Sequence, residues 1–314
     1  MQRLSKLFIS ILLLPFSSFF LFAEEETEAK NNISVKDNTQ TTFIDETYHY
    51  LNHKFSQPAI WFDSFFVDDR ISEDASADTI IRWYNDISWS ELDDFKYQSK
   101  LNARINLPKI SNKLKLVFES DDEEGPLTTL PHNEEETDNQ LGLRYDIFGK
   151  QRSSFNIKVT LRPGIEARYR YSYPLTTQTV AHFTQKLYQK EKVTGESSQL
   201  DLDHSITPEF LLRWTNFVKW ETDIDAFKMG TGLTLYQYIS PKQAINYKAS
   251  ISGPDKPYHY IENSHLSITY RQNILRKWLF YEVTPEINWD KTVDTERKKE
   301  ATITLRLEVL FKNF

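Results

Sequence analysis

Three residues of this chain have the types and spacing of a proton relay. Asn263, His265 and Ser267 occupy every second position of one stretch. On an extended strand, alternate side chains share a face. An imidazole there takes the proton of a hydroxyl, and an amide fixes which ring nitrogen carries its own hydrogen. Same-face neighbours on a strand lie roughly 6.5–7 Å apart. The chemistry therefore needs rotamers that lean together. The competing reading is three polar side chains that share a wall and no task.

A second group is charged. Arg144 and Asp146 alternate on one stretch, Lys158 and Arg162 on the next, and Glu166, Arg168 and Arg170 follow. Asp201 and Asp203 come further on, and Arg306 and Glu308 lie near the end. Each sits on the polar side of an alternating segment. Facing lipid, an Arg or Lys would cost about 2–4 kcal/mol near a bilayer midplane. These residues are therefore expected to line a water-facing interior. A stripe of cations would guide anions, whereas paired opposite charges would close the lumen. The mixture of signs along the chain argues for mutual neutralisation. The acidic run Asp121-Asp122-Glu123-Glu124, with Glu134-Glu135-Glu136, has the oxygen donors of a cation site but no EF-hand spacing, and reads as solvated loop charge. No Gly-rich phosphate loop, His-Glu-x-x-His or nucleophile elbow is present, so neither cofactor nor metal is expected. The net charge of −7 argues against a nucleic-acid partner.

The elements that must carry these residues alternate with period two. In residues 95–107, Phe95, Tyr97, Ser99, Leu101, Ala103, Ile105 and Leu107 form one face; Lys96, Gln98, Lys100, Asn102, Arg104 and Asn106 form the other. Thirteen such residues exceed the usual 5–6 of a soluble strand and suit a tilted membrane strand of about 9–11. The pattern recurs at 78–90, 113–120, 139–148, 178–190, 209–220, 226–238, 243–252, 260–271, 277–289 and 300–313. Short turns (Pro108–Asn112, Gly149–Arg152, Thr207-Pro208, Ser240–Gln243, Asn273–Arg276) alternate with charged loops (Asp121–Asp138, Glu191–Ser197, Gly253–His259, Asp290–Lys299). Outer-membrane barrels have short periplasmic turns and longer outer loops. With the stretch between the Glu191–Ser197 loop and the Thr207-Pro208 turn as a further strand, and 153–173 as one strand, the count is thirteen, which leaves the two chain ends on opposite sides. Splitting at Pro163-Gly164, a turn signal and a poor strand centre, restores parity. The expectation is an all-β, transmembrane, antiparallel up-and-down barrel of about 14 strands, with 12 as the alternative, over residues 78–314. Trp89, Trp220 and Trp289 fall at outer strand ends, and Tyr173 and Tyr270 near inner ends, as an aromatic girdle requires.

Ahead of the barrel, Arg3 and Lys6 precede an apolar run to Phe22, broken by Pro15, and Ala23 offers a cleavage site. This is the layout of a signal peptide, 1–23, and the run is short for a spanning helix. Residues 24–77 read as a periplasmic or lumen-inserted segment. Within it Ile44, Tyr48, Leu51 and Phe55 have helical spacing that Pro58 stops, and an aromatic stretch, Trp61-Phe62-Asp63-Ser64-Phe65-Phe66, follows. An extra strand or a loose tail fits the same residues. An exported chain without cysteine must be held by something other than disulfides, and a closed ring of backbone pairs does so.

The closing stretch Ala301, Ile303, Leu305, Leu307, Val309 and Phe311 is one apolar face. It resembles the C-terminal signature by which outer-membrane barrels are recognised by the barrel-insertion machinery. Phe311 is in phase with that face and the terminal Phe314 is not, so either phenylalanine is open for the role. Trp61–Phe66, Leu107-Pro108-Lys109, Trp278-Leu279-Phe280 and Leu305–Phe311 also resemble a group of uncharacterised proteobacterial outer-membrane proteins. That resemblance implies a barrel in contact with outer-membrane lipid and brings no activity or substrate. Outer-membrane phospholipases are similar in carrying His-x-Ser on one strand, as His265 and Ser267 do. Their pair faces the membrane, however, and the phase here points inward. The functional expectation is a porin-like or transport barrel. A structural barrel that binds a partner is the alternative, and a lipid hydrolase is the remote third.

Overall fold

The computed structural model describes residues 57–66, 79–92, 95–107, 110–111, 113–119, 140–149, 152–293 and 295–312. Period-two alternation becomes fourteen antiparallel strands joined in sequence order into a closed ring. The first seven are β1 (Ile80–Ser90), β2 (Lys96–Asn106), β3 (Leu114–Glu119), β4 (Gln140–Gly149), β5 (Ser153–Thr160), β6 (Gly164–Pro174) and β7 (Thr179–Lys190). The second seven are β8 (Val193–Thr207), β9 (Phe210–Glu221), β10 (Ile224–Ser240), β11 (Gln243–Pro254), β12 (Asn263–Asn273), β13 (Leu279–Asp290) and β14 (Lys298–Lys312). The first strand closes on the last from Ile80↔Lys312 to Ser90↔Thr302. Closure leaves no strand edge to pair elsewhere, as a chain without disulfides requires.

The split at Pro163-Gly164 falls where parity demanded it. A turn of residues 161–163 separates β5 from β6. Gly164 opens β6 because a Cβ there would lie 2.6 Å from Thr160 Oγ1. That hydroxyl is already committed, donating to the Arg162 carbonyl at 2.6 Å.

One expectation needs correction. The loop placed at Glu191–Ser197 is a two-residue turn, Glu191-Lys192, with Glu191 at φ 49°, and β8 runs on from Val193. Gly195 hid this strand. The ring of Tyr188 from β7 fills the space a side chain would take, and its hydroxyl donates to Glu221 at 2.8 Å. Ahead of the barrel the aromatic stretch forms a helix, α1, Gln57–Phe66. Proline in a first helical turn forfeits no hydrogen bond, so Pro58 is accommodated there. Residues 41–55, where the helical spacing was read, lie outside the described residues.

The strand faces sort as alternation demands. Outward positions are apolar and exposed, among them Leu143, Val159, Leu187, Leu233, Leu266 and Leu307 at 45–51%. Trp89, Trp220 and Trp289 are on that face near one end, and Tyr173 and Tyr270 near the other. Inward positions hold the buried polar groups, including Lys115, Arg144, Arg213, Arg271 and Glu308 at 4% exposure or less.

Candidate functional site

The lumen has two differently built halves. The base is taken as the end where β1 begins and β14 finishes, and the mouth as the other. On the half running from β8 round to β1, opposite charges face one another across neighbouring strands. Asp203 pairs in register with Arg213, Arg271 with Glu282, Glu282 with Arg306, and Arg306 with Asp86. The side chains follow the register. Arg213 Nε and Nη2 donate to Asp203 at 2.7 and 2.6 Å. Arg306 grips both oxygens of Asp86 at 2.7 and 2.8 Å. Arg271 donates to Glu282 and, at 2.5 Å, to Glu308, which also accepts from Arg82 at 3.0 Å. Opposite charges placed directly across strands stabilise, and bidentate guanidinium–carboxylate geometry is the strongest form.

Helix α1 is seated on this half at the base. Residues 61, 62, 65 and 66 fall on one helical face, and all four are aromatic. Trp61 packs on Tyr238 at 4.7 Å, Phe62 on Tyr236 at 5.3 Å and Phe65 on Phe280 at 5.9 Å. They share a buried cluster with Leu211 and Ala244. The one acid of the helix, Asp63, is 1% exposed and accepts from Arg213 Nη2 at 2.8 Å. A single guanidinium thus joins the helix to the barrel and β8 to β9.

The half from β2 to β7 follows another rule. Its inward positions carry Lys96, Lys100 and Arg104 on β2, Lys115 on β3, Arg144 on β4 and Lys158 on β5. Arg168 and Arg170 follow on β6, and Lys186 and Lys190 on β7. Against these cations the same described positions carry three carboxylates: Glu119, Asp146 and Glu166. Like charges stand directly opposite one another, Lys115↔Arg144, Arg144↔Lys158 and Arg168↔Lys186. Each carboxylate therefore serves more than one cation or leaves others to share. Asp146 takes Lys115 at 3.0 Å and Arg144 at 2.9 Å. Glu166 takes Arg168 at 2.8 Å and Lys158 at 3.7 Å, and Glu119 takes Lys158 at 3.0 Å. Arg104, Arg144, Lys158, Arg168 and Asn156 surround a gap of about 10 Å³ with Glu119 and Glu166.

The signs that alternate along the chain are sorted by wall in the barrel. Arg144, Asp146, Lys158, Glu166, Arg168 and Arg170 share one wall; Asp201, Asp203, Arg306 and Glu308 share the other. Arg162 belongs to neither, since it is exposed in the turn at the mouth. The acidic run at 121–138 and Phe314 lie outside the described residues. Phe311 is outward-facing, 53% exposed and stacked on Trp278 at 6.3 Å.

Asn263, His265 and Ser267 do share an inward face and are buried at 4, 2 and 8% exposure. They are not joined as a relay. His265 Nδ1 donates to Asn288 Oδ1 at 2.6 Å, across to β13, and Asn263 instead donates to Asp290 at 2.5 Å. Among the described residues no hydrogen bond links His265 to Ser267. The residue opposite His265 on β11 is Ser250. Asn288 and Ser250 escaped the sequence reading because a register between separate strands has no local mark.

No protein-family model matches this chain, and no curated protein matches it either. Solved structures do. A monoaromatic hydrocarbon channel, CymD, superposes with a TM-score of 0.50 at 8% identity, over 80% of this chain and 92% of its own. An anion-selective porin from Comamonas acidovorans gives 0.47 at 7% identity over 74% and 98%. The outer-membrane channel DcaP of Acinetobacter baumannii gives 0.46 at 9% over 74% and 96%. At such identities the likeness is one of fold: the closed antiparallel barrel of outer-membrane channels.

Proposed function

We propose that this chain is an outer-membrane conduit for small solutes whose lumen is narrowed at the base by α1. The observation that carries the reading is the contrast between a filled base and a charged wall. Aromatic α1 and its buried Asp63–Arg213 link occupy one side of the barrel, while the inward face of β2–β7 is rich in lysine and arginine. A barrel built only as a scaffold gains nothing from like charges set across strands, because they destabilise it. The belt of exposed leucine, valine and tryptophan on the outer face supports a lipid environment. Residues 1–23 fit export to it, and the in-phase Phe311 fits recognition by the insertion machinery. The base is then periplasmic and residues 24–77 lie on that side, with 57–66 reaching into the lumen. The phrases shared with uncharacterised proteobacterial outer-membrane proteins fit a Gram-negative source. The purified barrel in planar bilayers is expected to conduct KCl, and deleting residues 24–70 to raise the unit conductance. No current from either form, with both running as heat-modifiable folded barrels on gels, overturns the conduit.

A further inference from the structure

We infer that the outer face of β9–β10, centred on Asn216, is the contact by which two copies of this chain associate in the membrane. The inference goes beyond the conduit reading and shares with it only the placement of the outer wall against lipid.

The chain carries one hairpin pattern twice. Arg82, Trp83, Asn85 and Trp89 of β1 match Arg213, Trp214, Asn216 and Trp220 of β9 in type and spacing. The strands that follow match as well: Lys96, Ser99 and Leu101 of β2 correspond to Lys228, Thr231 and Leu233 of β10. Register makes the likeness structural. Asn85 lies opposite Ser99 and Asn216 opposite Thr231; Trp83 lies opposite Leu101 and Trp214 opposite Leu233. On each hairpin the indole donates to the hydroxyl across from the asparagine, at 3.0 Å to Ser99 and 2.8 Å to Thr231. One position breaks the match. Tyr97 lies opposite Ile87, and its hydroxyl donates to Asn85 Oδ1 at 2.7 Å. The corresponding residue of β10, opposite Val218, is Met229, which has no donor. Among the described residues the Asn216 side chain therefore has no hydrogen-bond partner.

Depth and shape say what completes this amide. Asn216 is four residues from the girdle residue Trp220 on a tilted strand, so it lies roughly 10 Å deeper. The apolar band of a barrel is about 25 Å tall, which puts the amide well inside hydrocarbon. Acyl chains offer neither donor nor acceptor, and a polar group left unsatisfied there is costly. A soluble partner does not reach this depth. A second copy inserted in the same direction brings its own Asn216 to the same level. An amide both donates and accepts, so two of them related by a two-fold axis satisfy each other reciprocally. Hydrogen bonds of this kind join spanning helices in lipid. The surface beside Asn216 is also concave. A groove of about 500 Å³ runs between Trp214 and Trp289 over the small residues Thr231, Ala249 and Ser264. A two-fold axis along the barrel sets the β7–β8 face of one copy against this groove on the other. That face offers the exposed Leu187 and Leu200 to fill it.

The test is thiol crosslinking of the full-length protein in outer membranes. The chain has no cysteine, so one introduced thiol reports one surface. Val218→Cys, the next outward position after Asn216, is treated with a membrane-permeant bis-methanethiosulfonate and should give a band of doubled mass. Ile87→Cys is the corresponding position on the hairpin that Tyr97 closes, and should stay monomeric. Adding Asn216→Leu or Met229→Tyr to Val218→Cys should lower the doubled band at least about fivefold. The first removes the amide; the second supplies the hydroxyl that Tyr97 gives to Asn85. Heat-modifiable mobility reads folding in each variant, and if one of these two does not fold the other decides. A Val218→Cys barrel that stays monomeric overturns the contact. So does equal crosslinking at both positions, which is collision, or an adduct of another mass, which is a different partner. A doubled band that neither added substitution weakens overturns it as well. A barrel that crosslinks as expected but passes no current overturns the conduit and leaves the contact standing.

Discussion

The two halves of the lumen differ in how charges meet across strands on one continuous sheet. From β8 round to β1, carboxylates and guanidiniums meet across strands: Asp203 with Arg213, Glu282 with Arg271 and Arg306, Asp86 with Arg306. From β2 to β7, cations meet cations at Lys115↔Arg144, Arg144↔Lys158 and Arg168↔Lys186, and one opposite pair, Lys158↔Glu166, lies among them. Opposite pairs contribute roughly 0.2–1 kcal/mol each and like pairs cost a similar amount. One half is therefore organised for stability and for seating α1, and the other retains repulsion that a folded scaffold alone would have shed. Departures from a consistent rule concentrate where a protein works. The comparison teaches that net charge says little about a barrel; the same residue types, dealt differently to two walls, alternate in sign across strands on one and gather cations on the other.

The comparison breaks most visibly at Arg213. Its side chain is 1% exposed and holds both Asp203 and Asp63, which are equally buried. In Arg213→Met two carboxylates are left facing each other without this cation. Leaving buried charge uncompensated costs about 3–5 kcal/mol. Urea unfolding followed by tryptophan fluorescence should show a loss of that size. Adding Asp63→Asn and Asp203→Asn should recover most of it, since the cost lies in the stranded charge. An Arg213→Met barrel of unchanged stability would mean that the ion-paired half is not what holds the ring.

A smaller effect is expected at Asp63 alone. Asp63→Asn keeps the shape and removes the ionic character of the bond to Arg213, which remains paired with Asp203. Hydrogen bonds to charged groups contribute about 1.5–3 kcal/mol. The weakened contact is the helix's, not the sheet's. Unfolding of the barrel should therefore move little, while conductance rises towards that of the form lacking 24–70. If conductance stays at the parent value, the aromatic contacts of Trp61, Phe62 and Phe65 alone fix α1.

Much of the barrel was legible from the chain because its cause is local. Alternation over 95–107 or 300–313 is written in consecutive residues, and Pro163-Gly164 marks its turn by residue type alone. What failed locally also failed for physical reasons. At Val193–Ser197 a glycine and nearby charges looked like a loop, because Tyr188 supplies the packing from another strand. At Gln57–Phe66 the aromatic run carries a helix, and Pro58 fits its first turn because a proline there forfeits no hydrogen bond. The site was legible by face and not by partner. Arg144 and Lys158 were placed inside from their phase. That they stand opposite each other depends on the register of β4 against β5, which is shifted by a bulge between Asp146 and Phe148. The same gap separates His265 from its partner Asn288.

The smallest effect gives the finest test of the difference between the walls. Lys186 stands directly opposite Arg168 on the basic half, on a half-buried position of β7. Lys186→Gln keeps the length and the polar tip while deleting one member of a like pair. On the ion-paired half, removing a charge costs stability. Here it should add about 0.2–1 kcal/mol at low salt, a rise in the urea midpoint with an unchanged slope. The gain comes from relieved repulsion, so it should shrink in 1 M KCl, where the screening length falls to about 3 Å. A loss of stability at low salt would mean that Lys186 is held by attraction, and the contrast between the halves would then stop short of β7.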